Sequence, residues 1–278
     1  MPSFDTPEPI RVTAHVGAGS LRFIASDRPD TAVEVRPGMR DKDVRVAEQT
    51  EVSYANGVLT IRTKERRFIG PSGVVDVTVD LPTGSEIDVT GSWTQVTGEG
   101  RLGKARVKTS GGDVRLDATG PLHLTASHGS IFVDRVEGAA EITSSSGSLH
   151  VGTVDGPAVL KNSHGSTTVA AVTGELRASG AFGDIDIVRA EASVTATTAH
   201  GALRVAEVTS GDVQLETSYG AIAIGIREGT AAWLDISSER GQVRNALADS
   251  APPAETENTV KVRARTRWGN IDIRRAEA

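Results

Sequence analysis

The sequence predicts an all-β protein, a single-stranded right-handed parallel β-helix (β-solenoid) of about 18 residues per coil behind a β-rich N-terminal cap. Three observations predict it. A glycine recurs at nearly constant spacing, apolar and polar residues alternate on both sides of that glycine, and aromatic residues are few. The 278 residues include 5 Phe, 2 Tyr and 3 Trp against 30 Gly. These proportions favour a thin core of aliphatic layers over a wide globular one.

The recurrent glycine marks one corner of each predicted coil. It stands at Gly112, Gly129, Gly147, Gly165, Gly183, Gly201, Gly220, Gly241 and Gly269. The four gaps from Gly129 to Gly201 are all 18 residues. Glycine adopts backbone angles that β-branched residues avoid, so the first seven of these glycines are interpreted as structural turn positions.

Two strands flank each corner glycine. Around Gly183, apolar residues lie seven and five positions before it and two and four positions after it, and polar or variable residues lie between them. This period of two indicates strands with one buried face. Equivalent strands of stacked coils run in the same direction, so the ladders are predicted to be parallel. The apolar columns do not follow a six-residue period, and right-handed connections are the general preference for parallel strands.

The chain divides into a predicted cap at residues 1–84 and solenoid coils at 85–278 that continue from it. In the cap, Asn56-Gly57 between Tyr54 and Leu59 predicts a β-hairpin. Five aromatic residues are expected to cover the open end of the solenoid. They are Phe4, Phe23, Tyr54, Phe68 and Trp93.

Near the C-terminal end of the solenoid, a loop insertion is predicted at residues 246–259, because Pro252 and Pro253 interrupt the repeat there. After this loop, Val260–Thr266 and Gly269–Ile273 are expected to form the last coil of the stack.

Composition excludes several classes of protein. The net charge is −6 with acids and bases interspersed, which argues against a general nucleic-acid or anionic-membrane surface. Without cysteine, disulfides and thiolate metal sites are excluded. No stretch approaches the roughly 20 apolar residues of a membrane span. The first ten residues have no basic start and no apolar run, so we expect a cytoplasmic protein.

The candidate binding site is the column directly before the corner glycine. Its histidines and aromatics form a candidate ladder for a ligand or partner, and the alternative is a solvent-facing corner where flat side chains stack on each other. The ladder residues are His128, His164, Phe182, His200 and Tyr219. A neighbouring column of hydroxyls is expected to cap the turn backbone. It comprises Ser110, Ser127, Ser145, Ser163 and Ser218.

Neither a metal site nor a catalytic site is predicted. His164 and His200 lie two coils apart with Phe182 between them, which is too far for shared zinc ligation. Asp184 and Asp186 point outward on one strand rather than converging in a cleft. The basic run Lys64–Arg67 contains an acid and is weak evidence for a phosphate site. No cofactor is expected.

Two segments and one repeated unit resemble a known bacterial family. They are YANGVLTI at Tyr54–Ile61, VDVTVDLPTGSEIDV at Val75–Val89, and the S-x-G-[SD]-h-x-V unit of the coils, where h is apolar. The chain resembles, over essentially its whole length, domain of unknown function 4097, whose members are also described as candidate adhesins or β-strand-repeat proteins. The resemblance implies a right-handed solenoid and supplies no catalytic residues.

The functional hypothesis is a non-enzymatic scaffold or interaction protein that presents flat faces to a protein partner or to copies of itself. The alternative is a carbohydrate-binding or carbohydrate-active, pectinase-like β-helix that uses the corner ladder. A role as accessory to a regulatory or envelope-stress system is a third hypothesis, on which the residues give no information.

Overall fold

The computed structural model describes residues 2–63, 73–247 and 258–276 and contains, within them, 25 strands and one helix. The chain forms two compact units, Met1–Glu137 and Gly138–Ala278. Both are built of parallel ladders, so the predicted parallel β-solenoid is confirmed. The predicted cap boundary after residue 84 falls inside the first unit and stays a prediction. The basic run Lys64–Arg67, Phe68, Pro252 and Pro253 lie outside the described residues.

The first unit contains eleven strands and the helix. They are β1 (Ser3–Asp5), β2 (Arg11–Ser26), β3 (Asp30–Pro37), α1 (Asp41–Glu48), β4 (Glu51–Ala55), β5 (Val58–Arg62), β6 (Val75–Pro82), β7 (Glu86–Leu102), β8 (Ala105–Gly111), β9 (Val114–Thr119), β10 (Leu122–His128) and β11 (Ile131–Val136). β2 pairs in parallel with the long strand β7, and β7 pairs in parallel with both β8 and β9. β8 then pairs with β10, and β9 pairs with β11. On its other side β2 pairs in parallel with β5 and β6. The coil of β2 therefore lies between two coils that follow it in sequence.

Among the described residues of the first unit, antiparallel pairs occur only between strands β1 to β6. β3 pairs with β6 and β4 pairs with β5, the second pair with Tyr54 opposite Leu59. The connecting Asn56 and Gly57 have φ of 51° and 76°. Two consecutive positive φ angles are typical of a type I′ hairpin. The predicted hairpin is confirmed.

The four aromatic residues of this region that the structure describes do not form a common cover, contrary to the expectation. Phe23 is fully buried in the core of β2, and Trp93 on β7 is 67% exposed. Phe4 and Tyr54 contact each other with ring centroids 5.4 Å apart. The expectation fails because each ring follows the inward or outward register of its own strand.

Helix α1 was not predicted, and a buried carboxylate fixes its start. Asp43 is 1% exposed and accepts the backbone N–H of Arg40 and of Val74, each at 2.9 Å. The hydrogen bond from Val74 is the main cause that holds the pKa of Asp43 below its ordinary value, and burial opposes it. The carboxylate thus ties the helix to the residue before β6.

Asp43→Asn should lower the melting temperature at pH 7 by a few degrees, because the two N–H groups bind different carboxylate oxygens and the amide has only one oxygen, so one N–H group loses its acceptor. Because the folded-state pKa is depressed, this stabilisation is present above the ordinary pKa and lost as the pH falls through the folded-state value. The difference between wild type and variant should therefore shrink below about pH 4. Thermal melts from pH 3 to 7 measure it, with exposed Asp41→Asn as control. A difference that does not change with pH would contradict the assignment.

The second unit contains fourteen strands in two columns. They are β12 (Ala140–Ser146), β13 (Leu149–Val154), β14 (Ala158–His164), β15 (Thr167–Val172), β16 (Leu176–Phe182), β17 (Ile185–Ala190), β18 (Val194–His200), β19 (Leu203–Val208), β20 (Gly211–Tyr219), β21 (Ile222–Ile226), β22 (Ala231–Arg240), β23 (Val243–Asn245), β24 (Thr259–Trp268) and β25 (Ile271–Arg275). Ala158 pairs with Leu176 and Ile185 with Leu203, each 18 residues on. The predicted period is confirmed here.

The predicted order of the last coils is wrong. β24 pairs in parallel with β20 on one side and with β22 on the other, so Ala264 lies opposite both Leu215 and Ile236. β25 lies between β21 and β23 in the same way. The coil that is last in sequence is therefore not last in the stack. Among the described residues, no strand pairs with the outer side of β22.

Burial gives the physical reason for this order. The inward apolar residues of β24 and β25 are at most 2% exposed; they are Val260, Val262, Ala264, Ile271 and Ile273. The coil of β22 and β23 carries Asn245 at an apolar position, and its Val243 is 47% exposed. The coil of β24 and β25, whose apolar columns are complete, therefore has a neighbouring coil on each side. The coil of β22 and β23, whose apolar column is incomplete, lies at the end of the stack.

Candidate functional site

The residues before the corner glycine form one continuous stack of rings in the second unit. Ring centroids are 5.2 Å apart between His164 and Phe182, 4.9 Å between Phe182 and His200, and 4.8 Å between His200 and Tyr219. The planes of these pairs differ by 15° or less. Trp268 continues the stack 6.2 Å from Tyr219. We call these five residues the aromatic ridge.

The parallel register produces this stack. His164, Phe182, His200, Tyr219 and Trp268 are direct partners on adjacent strands. Adjacent strands lie about 4.8 Å apart, close to the distance at which flat side chains meet face to face. Four such steps give the ridge a length of about 20 Å. The sequence-predicted self-stacking therefore follows from strand spacing.

The end of the ridge reflects the order of the coils. In sequence, Arg240 comes between Tyr219 and Trp268. In the structure, Trp268 is the partner of both, and the Arg240 guanidinium carbon lies 4.2 Å from the Trp268 ring centroid. This is a cation–π contact that closes the stack with a positive charge.

The ridge is exposed along its edges. Phe182 and Tyr219 are each 50% exposed and Trp268 is 46% exposed. Small residues flank the middle of the ridge on both sides along the chain. They are Ala181 and Ala199 before the rings, and Ala202 and Ala221 after the corner glycine. The rings are thus bordered mainly by small side chains, and after Gly183 by Asp184, which contacts Arg204.

The first unit holds the earlier members of the predicted column. His128 Nδ1 lies 3.4 Å from the Ser110 carbonyl oxygen. Trp93 is the strand partner of Gly111, and a Cβ added to Gly111 would stand 2.4 Å from the indole. Sequence analysis missed Trp93 as a member of this column. Its spacing of 18 residues from Gly111 was the available signal.

The corner turns are capped by side chains one position earlier than predicted. Thr217 donates to the Gly201 carbonyl at 3.1 Å, and Thr266 donates to the Gly220 carbonyl at 3.0 Å. The Asn162 amide donates to the carbonyls of Gly147 and Gly165 at 3.0 and 3.1 Å. The capping residues lie three positions before the corner glycine and are buried. The serines that were predicted to cap lie two positions before it. Strand alternation turns the earlier position inward, towards the turn.

The corner glycines allow coils to stack at this point. Gly183 has φ of 137°, and a Cβ on it would lie 2.2 Å from the Gly165 carbonyl oxygen. The same close approach to the backbone of the adjacent coil occurs at other corners. Those positions are Gly112, Gly129, Gly165, Gly201, Gly220, Gly241 and Gly269.

The carboxylates weighed for catalysis are engaged in surface contacts. Asp184 accepts the Ala202 N–H at 2.8 Å, and the Arg204 guanidinium bridges Asp184 at 3.4 Å and Asp186 at 2.9 Å. Across the described ranges, no three His, Asp or Glu side chains gather where they could hold a metal ion. No helix within those ranges has the length and apolarity to cross a bilayer.

The stacking of the rings is also relevant to the alternative hypothesis, in which the ladder residues bind a carbohydrate. A sugar packs its apolar face on the open face of an aromatic ring. Phe182, His200 and Tyr219 each have a ring on both sides, so their faces are covered. Their exposed parts are ring edges, which suit an apolar or protein surface.

Comparisons with known proteins place the chain in a family. Similar solved structures include a candidate lipid-binding protein from Parabacteroides distasonis (17% identity, TM-score 0.44, 99% of this chain and 96% of the other). A candidate adhesin from the same species shows 15% identity and a TM-score of 0.43, covering 98% and 95% of the two chains. One from Bacteroides fragilis shows 13% identity and a TM-score of 0.36 with the same coverage.

At these identities and TM-scores, no binding property passes from those structures to this chain. The search of curated proteins gives no match. The family model described as Toastrack DUF4097 matches residues 16–274. The chain is therefore a member of the Toastrack DUF4097 family.

Proposed function

We propose that the chain is a non-enzymatic interaction protein that binds a protein partner through the aromatic ridge. The observation that carries the proposal is the continuous, half-exposed stack from His164 to Trp268. Aromatic side chains are enriched in the buried centres of protein interfaces, because they bury a large area at a low cost in side-chain entropy.

The ridge is also organised before binding. Each internal ring is held between two others at 4.8 to 6.2 Å. A partner that covers the ridge therefore does not have to immobilise these side chains, and preorganisation favours affinity. Arg240 at one end and the small flanking residues along the sides offer a polar boundary and close approach.

The double variant Phe182→Ala plus Tyr219→Ala should lower partner recovery at least tenfold, since a central aromatic contact contributes about 2 kcal/mol or more. Quantitative mass spectrometry of pull-downs from native cells measures it. Val188→Ala is the control, because Val188 is 53% exposed on β17 and lies outside the ridge. Circular dichroism checks the fold of each variant, since removing ring contacts costs some stability.

Two results would refute the proposal. One is a partner that binds the double variant and the wild type equally. The other is no partner at all together with a strict monomer at high concentration in analytical ultracentrifugation. Loss of partner binding in Val188→Ala but not in the double variant would show that the interface lies on the outer face of β17 and not on the ridge.

A further inference from the structure

A cleft in the second unit lies away from the ridge, on the outer face of β20, β24 and β22. It is shallow and open to solvent, with a volume of about 450 Å³. Two cross-strand rows line it. One row is Asp212, Lys261 and Trp233, and the other is Gln214, Arg263 and Asp235.

Trp233 provides an aromatic surface of a kind that the ridge lacks. It is 64% exposed and, among the described residues, contacts no other aromatic ring. Its indole is therefore available for packing by a ligand. Its position on β22 places it at one wall of the cleft.

The polar groups of the cleft are mixed and balanced. Asp235 Oδ2 accepts from Arg263 Nε at 3.1 Å and from Arg265 Nη2 at 3.4 Å. Asp212 and Lys261 are opposite each other on adjacent strands, and within the described ranges neither side chain forms an ion pair. Two acids and two bases line the cleft, so its charge favours neither an anion nor a cation. Gln214 adds a neutral donor and acceptor.

This combination defines the chemistry of the ligand. A sugar has an apolar face of C–H groups and a rim of hydroxyls that both donate and accept. The indole matches the face, and Asp212, Gln214 and Lys261 match the rim. We infer that the cleft binds a neutral saccharide, with one sugar ring packed on Trp233. The site lies on the strands that end in Tyr219, Trp268 and Arg240, but it uses none of these three residues.

Saturation-transfer NMR with cellopentaose, xylopentaose, mannopentaose, maltopentaose and chitopentaose tests the inference. At least one should bind with a dissociation constant of about 1 mM or lower. Trp233→Ala should weaken that binding at least tenfold, and Asp212→Ala should also weaken it about tenfold or more, as expected for loss of a hydrogen bond to a charged group. Trp93→Ala is the matched control, because Trp93 is 67% exposed but lies in the first unit.

Three outcomes would overturn the inference. They are no binding by any of the five neutral oligosaccharides, equal binding by wild type and Trp233→Ala, and tighter binding of an acidic oligogalacturonate than of every neutral one. Loss of binding in Trp93→Ala with retention in Trp233→Ala would also refute it.

Discussion

Gly183→Ala should lower the free energy of unfolding by more than about 4 kcal/mol, a large share of the roughly 5–15 kcal/mol that stabilises an ordinary protein. A Cβ at this position would stand 2.2 Å from the Gly165 carbonyl oxygen, and the φ of 137° is one that L-residues rarely adopt. Relief of the clash requires adjacent coils to separate, which breaks ladder hydrogen bonds such as Gly165 N–H to the Phe182 carbonyl. Urea denaturation followed by circular dichroism measures the change.

The control Gly229→Ala separates the clash from the backbone conformation. Gly229 has φ of 76°, but a Cβ on it would meet nothing within 4 Å. Its substitution should cost about 1 kcal/mol, the cost of a left-handed conformation in an L-residue. Equal effects of the two substitutions would show that coils do not approach closely at the corner.

This corner also matters for the ridge, because Phe182 directly precedes Gly183. Close approach of the coils at the glycine brings the rings to 4.9 Å. A variant that opens the corner should therefore lose ridge geometry together with stability. Binding measurements on corner variants would mix both effects, so the ridge substitutions Phe182→Ala and Tyr219→Ala are the cleaner test of function.

Ile273→Ala should destabilise the protein by about 2–4 kcal/mol, and Ile236→Ala by about 1 kcal/mol. Ile273 lies on β25, is 1% exposed, and has strand neighbours on both sides. Ile236 lies on β22, is only half-buried, and pairs on one side with β24. Chemical denaturation of the two variants compares the same substitution in an interior and in an end coil.

The comparison distinguishes the order of the coils in space from their order in sequence. If coils stacked in chain order, β25 would be the open end and Ile236 would be interior, so Ile236→Ala would be the more damaging change. That result would contradict the pairing of β24 with both β20 and β22. Hydrogen exchange offers a second measure, because β22 should exchange faster than β24.

The repeat in the sequence was sufficient to predict most of the fold. Glycine spacing and period-two alternation located the strands, because each coil must turn its apolar residues inward and its corners must allow close approach. The hairpin at Asn56-Gly57 was predictable for a local reason, since few residues tolerate two positive φ angles. The ring column was visible because a constant period aligns equivalent positions on adjacent strands.

Helix α1 and the cleft at Trp233 were not predictable from local pattern. The start of the helix depends on the Asp43 carboxylate, which accepts the N–H of Val74, a residue distant in sequence. The cleft depends on β22 and β20 flanking β24, so that Trp233 and Asp212 both lie beside Lys261. Neither neighbour relation appears in the linear sequence.

The sequence by itself determined the coil: its length, its two inward-facing strands and the glycine corner that carries the rings. Only the tertiary structure decided which coil lies next to which at the ends, where β2 lies between later strands and β24 lies between β20 and β22. The physical reason is that equivalent coils present similar parallel edges and apolar columns. Local patterning therefore allows several orders, and the order that buries the most complete apolar coils on both sides is favoured.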